Sequence, residues 1–327
     1  MHDSASGRQD AVVVLLREAV TRSPQPALLY QLSEALWMRG EHREAAQVFR
    51  QAYLADPESG LFPPSPGTDP CRLRDRSQSL LDHGAIFSPV IAARAAAAVM
   101  LGDAAGARRL VDYDRFLRRR SLMAPAEYDG LDFNAAVRTE IKANLRFYDD
   151  GESGRHLATR LSWRNNDVLN DRSPACLALA RLVRTEAERY MAELPVDDDH
   201  PFIASRPASF DIEAWAIVSG GASYLHPHLH PRAWLSAVYY VTQPAVSTEL
   251  GSHRGWLRFG LPEAYGLDPN GGWDERRVEP ILGSLLMTPG YFLHGISPMG
   301  GDDERISIAF DIVPSEIAAG SPRRRQP

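Results

Sequence analysis

A chain of 327 residues, 44% hydrophobic and 24% charged, is long enough for one large or two medium domains and too apolar for extended disorder. Its net charge of −6, with Lys142 the sole lysine, leaves no broad cationic face and argues against a general nucleic-acid binder. Only two cysteines, Cys71 and Cys176, are present, well separated and without a CxxC, which implies neither a disulfide framework nor a thiolate cluster, and the apolar run Ala11–Leu16 is too short for a membrane span, so a cytoplasmic, reducing setting is expected.

In chain order, Asp10 to Pro24 reads as a helix. Residues 26 to 57 read as two more, with apolar Leu29, Leu32 and Leu36, a turn at Gly40, then Ala45, Phe49, Ala52 and a closing Pro57. These offsets resemble a tetratricopeptide repeat, which places small residues where its helices cross and a proline where the second ends. Leu29, Ser33 and Leu36 depart from the usual tryptophan, glycine and tyrosine. Pro57 to Pro70 is an irregular connection, and Pro89 to Leu110, with Gly102 between alanine-rich halves, resembles a degenerate later pair. The helices either brace the rest of the chain, form a dimer interface, or present a concave face to a peptide or protein.

Asp112 to Leu194 again has a helical pattern, at Asn134–Phe147 and Pro174–Leu194, around a polar segment from Asp149 to Arg172. After Pro195 the texture becomes short β-rich runs: 209–218, 235–242, 255–259, 283–288, 291–295 and 305–313. Such spacing predicts a sandwich or barrel. The expected divisions are 1–110 (tetratricopeptide-like), 111–194 (helices supporting the β domain), 195–315 (β core) and 316–327, a flexible basic tail with Arg323, Arg324 and Arg325.

The chemistry concentrates in Tyr224-Leu-His-Pro-His-Leu-His-Pro231. Side chains two apart on a strand share a face, so His226, His228 and His230 could aim at one point, with His294 on a later strand completing a metal site. No acidic base lies within the histidine segment, which weakens a zinc hydrolase reading. No phosphate-binding glycine fingerprint is present, so Gly220-Gly221 reads as a loop.

Phe210–Trp215, His228-Leu-His-Pro231, Leu235–Val241, Gly255–Gly260, Pro289–His294 and Arg305–Phe310, in this order and spacing, resemble the 2-oxoglutarate and Fe(II)-dependent oxygenases often joined to tetratricopeptide repeats. The resemblance covers residues 195 to 313 well and the preceding helices more weakly. It implies an α+β chain: a tetratricopeptide-like helical region followed by a double-stranded β-helix (jelly-roll, cupin-like) with supporting helices. It further implies Fe(II) on His228, His230 and His294, and 2-oxoglutarate on Arg305, assisted by Ser307 and Tyr240. A guanidinium forks onto a carboxylate, and a hydroxyl two residues along can join it. His230 stands where a carboxylate is commoner.

The implied activity is an oxidation ending most simply in hydroxylation, with O2 consumed and succinate released. Two alternatives stay open: a cupin-like three-histidine dioxygenase pairing His226 with His228, for which Arg305 is superfluous, and a metal-free binding protein whose helices recruit a partner. Trp215, Trp234 and Trp256 are candidates for the substrate mouth or for core. His253 reads as a turn residue.

Overall fold

The computed structural model describes residues 3–57, 67–129, 132–148, 159–160, 162–221, 223–242, 253–260, 275–299 and 304–320. The N-terminal third is helical: α1 (Asp3–Arg22), α2 (Pro26–Met38), α3 (His42–Ala55), α4 (Pro70–Asp82), α5 (Ser88–Met100), α6 (Ala104–Leu110) and the short α7 (Tyr113–Phe116). Pro26, Pro70 and Pro89 sit in first turns, where a missing N–H costs nothing. α2 and α3 form a hairpin whose turn uses Gly40 at φ +84°. Where the two helices cross, buried Ser33 donates to the Ala45 carbonyl at 2.8 Å, so a small polar residue fits the contact with its hydroxyl satisfied. α5 buries nearly every side chain from Ser88 to Ala98, as its alanine and valine content allows.

The middle region then departs from its helical pattern. Alongside α8 (Phe133–Lys142) and α9 (Pro174–Glu193) it contributes four strands: β1 (Arg118–Ser121), β2 (Arg146–Tyr148), β3 (Thr159–Arg160) and β4 (Ser162–Asn165). Residues 146 and 147, expected in a helix, are in strand β2. These strands are short and lie at the outer ends of the sheets, with β1, β2 and β3 at the edges. Thus this region widens the sheets as well as covering them.

After α10 (Pro201–Ala204) come β5 (Phe210–Ser219), β6 (Tyr224–His228), β7 (Leu235–Tyr240), β8 (Leu257–Phe259), β9 (Arg276–Val278), β10 (Ser284–Pro289), β11 (His294–Ile296) and β12 (Arg305–Pro314), then α11 (Ser315–Gly320). The basic tail expected from 316 therefore begins inside a helix, and residues 321–327 lie outside the described residues. One antiparallel sheet runs β1-β10-β7-β12-β5-β4-β2 and the other β3-β6-β11-β8-β9. From β5 onward the chain passes from one sheet to the other so that β10-β7-β12-β5 faces β6-β11-β8-β9, the strand order of a double-stranded β-helix. The chain is α+β, a helical region followed by a jelly roll.

A continuous apolar core joins the two parts, from Phe49, Tyr53 and Phe87 through Phe116 and Phe202 to Tyr291 and Phe310. Tyr53 stacks on Phe87 at 3.9 Å, and Phe202 on Trp234 at 4.4 Å. Trp234 also donates its indole N–H to the Phe202 carbonyl at 2.9 Å, which makes it a core residue.

Candidate metal centre

β6 carries the first histidines, with a departure from simple alternation. Opposite it, β11 pairs His294 with His228 but Ile296 with Leu225, so one extra residue is accommodated in β6 at the Pro227 region. A bulge reverses which face the next side chain takes, and proline tolerates that position because it has no N–H to pair. His226 is accordingly exposed, while His228 turns inward. His230 lies beyond the strand, in the turn before β7. The alternation is therefore not three side chains of one flat strand.

His228, His230 and His294 nonetheless converge, each offering a ligand atom within 4.8 Å of the others, and the three could hold a metal ion. The δ-nitrogens explain the orientation. His228 Nδ1 lies 2.8 Å from the His226 carbonyl and His294 Nδ1 lies 2.8 Å from the Phe292 carbonyl, contacts that require N–H at Nδ1 and leave Nε2 as a lone pair. The Nε2 atoms of His230 and His294 face each other at 3.3 Å. Lone pairs aimed at one point repel unless a cation lies between them. Burial, with the neighbouring imidazoles, pushes His228 down to about 3 and His294 well below the ordinary histidine value, so both rings are neutral at pH 7, the form that binds metal.

Gly290 joins the two histidine-bearing segments. His230 N–H donates to its carbonyl at 2.8 Å, and its own N–H donates to the Trp234 carbonyl at 3.0 Å. A Cβ here would fall 2.1 Å from the Ala233 oxygen, so only glycine allows the approach. The helical region braces the same turn: the Ser88 hydroxyl donates to the Ala233 carbonyl at 2.7 Å and the Tyr53 hydroxyl to the Pro231 carbonyl.

The opposite wall is the inner face of the larger sheet. Along β12, Arg305, Ser307, Ala309 and Asp311 share a face, opposite Ser219, Ile217, Trp215 and Glu213 of β5, while Tyr240, Val238 and Ser236 of β7 lie opposite Ser307, Ala309 and Asp311. At the deep end Arg305 is fully buried, and none of its three guanidinium nitrogens has a hydrogen-bond acceptor among the described residues. It lies over the Tyr240 ring at 5.2 Å, and the Tyr240 hydroxyl is also buried without a hydrogen-bond partner. Burial lowers the arginine and raises the phenol, each partly offset by the other. Tyr239 points to the opposite face, where its hydroxyl donates to Asn134 Oδ1 at 2.7 Å.

Residues 213–311 match the family model described as "Putative 2OG-Fe(II) oxygenase". That stretch runs from β5 to β12 and contains the histidines and Arg305. Over those residues the β domain is similar to 2OG-Fe(II) oxygenases. Fe(II) and 2-oxoglutarate are this family's cofactors, and the residues of the β domain fit both. Three imidazoles converging on one point suit iron, and a buried guanidinium without an acceptor among the described residues suits a carboxylate.

Solved structures resemble the chain at low identity. A Pseudomonas putida prolyl-4-hydroxylase is 17% identical, covering 66% of this chain and 97% of its own, with a TM-score of 0.39. A Trichoplax adhaerens prolyl hydroxylase, in complex with a hypoxia inducible factor peptide fragment, is 12% identical over 68% and 92%, with a TM-score of 0.43. HygX from Streptomyces hygroscopicus, with nickel and 2-oxoglutarate bound, is 15% identical over 64% and 87%, with a TM-score of 0.39. No curated protein matches the chain. Among the described residues no helix is long and apolar enough to cross a membrane.

Other candidates fall in different places. Trp215 stacks on the His230 ring at 5.9 Å, beside the metal site, with the Arg164 guanidinium 5.7 Å over its indole. Trp256 packs edge-on against His253 at 4.7 Å, and His253 contacts Arg277 at 3.1 Å. Sequence reasoning missed Asp311, whose Oδ1 is 2.7 Å from His230 Nδ1. Its signal was a carboxylate inside the otherwise apolar run of β12, six residues beyond Arg305 and on the same face.

Proposed function

We propose that the chain is a non-haem Fe(II) and 2-oxoglutarate-dependent dioxygenase. In this reading His228, His230 and His294 hold iron through Nε2, and Arg305, with Ser307 and Tyr240, holds the far carboxylate of 2-oxoglutarate. The product is a hydroxylated peptide, protein or small molecule, with succinate and CO2 released. Residues 195–315 form the catalytic core, served by 1–110 and 111–194.

The observation that carries this reading is Arg305. A buried guanidinium with no hydrogen-bond acceptor among the described residues costs several kcal/mol, which a bound carboxylate would offset. A dioxygenase that uses no keto acid leaves that cost uncompensated, as does a metal-free binding platform. Arg305 lies on β12 of one sheet of the jelly roll, and His228 and His294 lie on β6 and β11 of the other.

Bound together, iron and 2-oxoglutarate supply the oxidising power needed to attack an unactivated C–H bond. The chain supplies geometry. The Nδ1 hydrogen bonds to backbone carbonyls fix the His228 and His294 rings, so little rotational freedom is lost when a ligand bond forms. The guanidinium fork sets the keto acid's direction, and the Tyr240 hydroxyl can donate to the same carboxylate. Trp215, Ile217, Phe259 and Leu257 keep the walls apolar and exclude water. No side chain needs to act as a general base.

Anaerobic titration with Fe(II) and 2-oxoglutarate tests the proposal. A weak visible charge-transfer band should rise to one equivalent of each. Iron bound without that band on adding keto acid would refute the keto-acid mechanism.

A further inference from the structure

Each of the three imidazoles needs something to hold its δ-nitrogen, and the three solutions differ. His228 and His294 use neutral backbone carbonyls two residues earlier in the chain. His230, which sits past the end of β6 in a turn, faces a carboxylate instead. Asp311 is 7% exposed, and its Oδ1 lies 2.7 Å from His230 Nδ1. That contact is off the ring's hydrogen-bonding direction, and Oδ1 has no hydrogen-bond donor among the described residues.

Its neighbours across the sheet do not offset the charge. Across the sheet Asp311 lies opposite Glu213 on one side and Ser236 on the other. Two carboxylates directly opposite each other on one face repel. Glu213 is ion-paired with Arg232 at 3.0 Å. Without metal, therefore, Asp311 bears the cost of burial and of a like-charged neighbour, against an indirect contact with an imidazole.

We propose that Asp311 is a positioning residue for the metal, holding His230 through Nδ1 and supplying from behind that ring the negative charge that a third imidazole omits from the ligand set. The proposal rests on the reading of His228, His230 and His294 as ligands. A dication on Nε2 draws electron density from the ring and makes Nδ1–H a stronger donor, so the attraction to Asp311 grows when metal binds. A contact stronger in the loaded state than in the empty one is, by linkage, a contribution to metal affinity. The geometry also explains why the carboxylate serves His230, since His228 and His294 lie on strands that bring a backbone carbonyl to each Nδ1, and His230 lies in a turn.

The test compares the wild type with Asp311→Asn, which keeps the shape and removes the charge, and with Asp311→Ala; His294→Ala is the control. Three quantities are read: anaerobic Fe(II) affinity by competition with a chelator, the visible spectrum of the Co(II)-loaded protein, and the melting temperature of the metal-free protein. Both Asp311 variants should bind Fe(II) roughly 10- to 100-fold more weakly, the range for an outer partner of a ligating histidine. Their Co(II) bands should shift without the loss of intensity pattern that a missing ligand gives. Their metal-free melting temperatures should equal or exceed that of the wild type.

Unchanged Fe(II) affinity would overturn the proposal, as would a fall in metal-free melting temperature large enough to account for the weaker binding. A Co(II) spectrum showing one ligand fewer would assign Asp311 to direct coordination and overturn it as well. If His294→Ala binds Fe(II) as the wild type does, the ligand reading itself fails and the proposal with it. If only the Asp311 variants are silent, the ligand reading stands alone.

Discussion

Replacing Arg305 by methionine should move ligand affinity and stability in opposite directions. Methionine fills the space of the arginine stem without the charge. A guanidinium forked onto a carboxylate makes two charge-assisted hydrogen bonds worth about 1.5–3 kcal/mol each, so 2-oxoglutarate should bind about 3–6 kcal/mol more weakly, roughly 10²- to 10⁴-fold. In the ligand-free protein the sign reverses. Arg305 is fully buried and its three nitrogens have no acceptor among the described residues, so its removal should stabilise the fold by about 1–4 kcal/mol. At roughly 2 °C per kcal/mol for a chain of this size, the ligand-free variant should melt about 2–8 °C above the wild type. Adding 2-oxoglutarate at about 100 times its Kd stabilises the wild type by about 2.7 kcal/mol and leaves the variant unmoved. Thermal melts with Mn(II) in place of iron, with and without 2-oxoglutarate, avoid turnover and read both effects. A variant that melts lower without ligand yet retains wild-type affinity for 2-oxoglutarate would show that Arg305 is a structural residue.

His226→Ala should leave Fe(II) affinity within about twofold of the wild type, because its side chain is exposed and only its backbone carbonyl reaches His228, whereas alanine at 228, 230 or 294 should abolish tight binding in the same titration. Stability of the metal-free protein should fall on acidification. His228 and His294 stay neutral in the fold while their unfolded counterparts titrate near 6.5, so protons favour the unfolded state from about pH 6.5 down towards the His228 value of about 3. The loss is up to about 1.4 kcal/mol per pH unit for each ring, and a urea midpoint that is flat between pH 7 and 5 would contradict the neutral assignment. Gly290→Ala should cost several kcal/mol and weaken metal binding together, since its Cβ would fall 2.1 Å from the Ala233 oxygen in the turn that carries His230; circular dichroism melts and Fe(II) competition check both.

The β-rich texture after Pro195 was legible because long strands such as β5, β7 and β12 are rich in β-branched and aromatic residues, and each sequence run overlaps its strand. The short strands β1 to β4 were not legible, since a strand of two to four residues owes its conformation to the neighbour it pairs with and carries no period of its own. The same limit applies within the site. The histidine spacing pointed to one face of a strand, but a bulge depends on pairing with β11, and it is this register shift that separates exposed His226 from His228. Tyr239 and Tyr240 were bound to face opposite ways; which one reached Arg305 was decided by the pairing of β7 with β12. Asp311 was invisible for a related reason. An isolated carboxylate in an apolar strand reads as an edge or an error until another element, here the turn bearing His230, is brought to within 2.7 Å of it. Periodicity along the chain therefore reports which residues share a face, whereas the chemistry of this site depends on which faces meet.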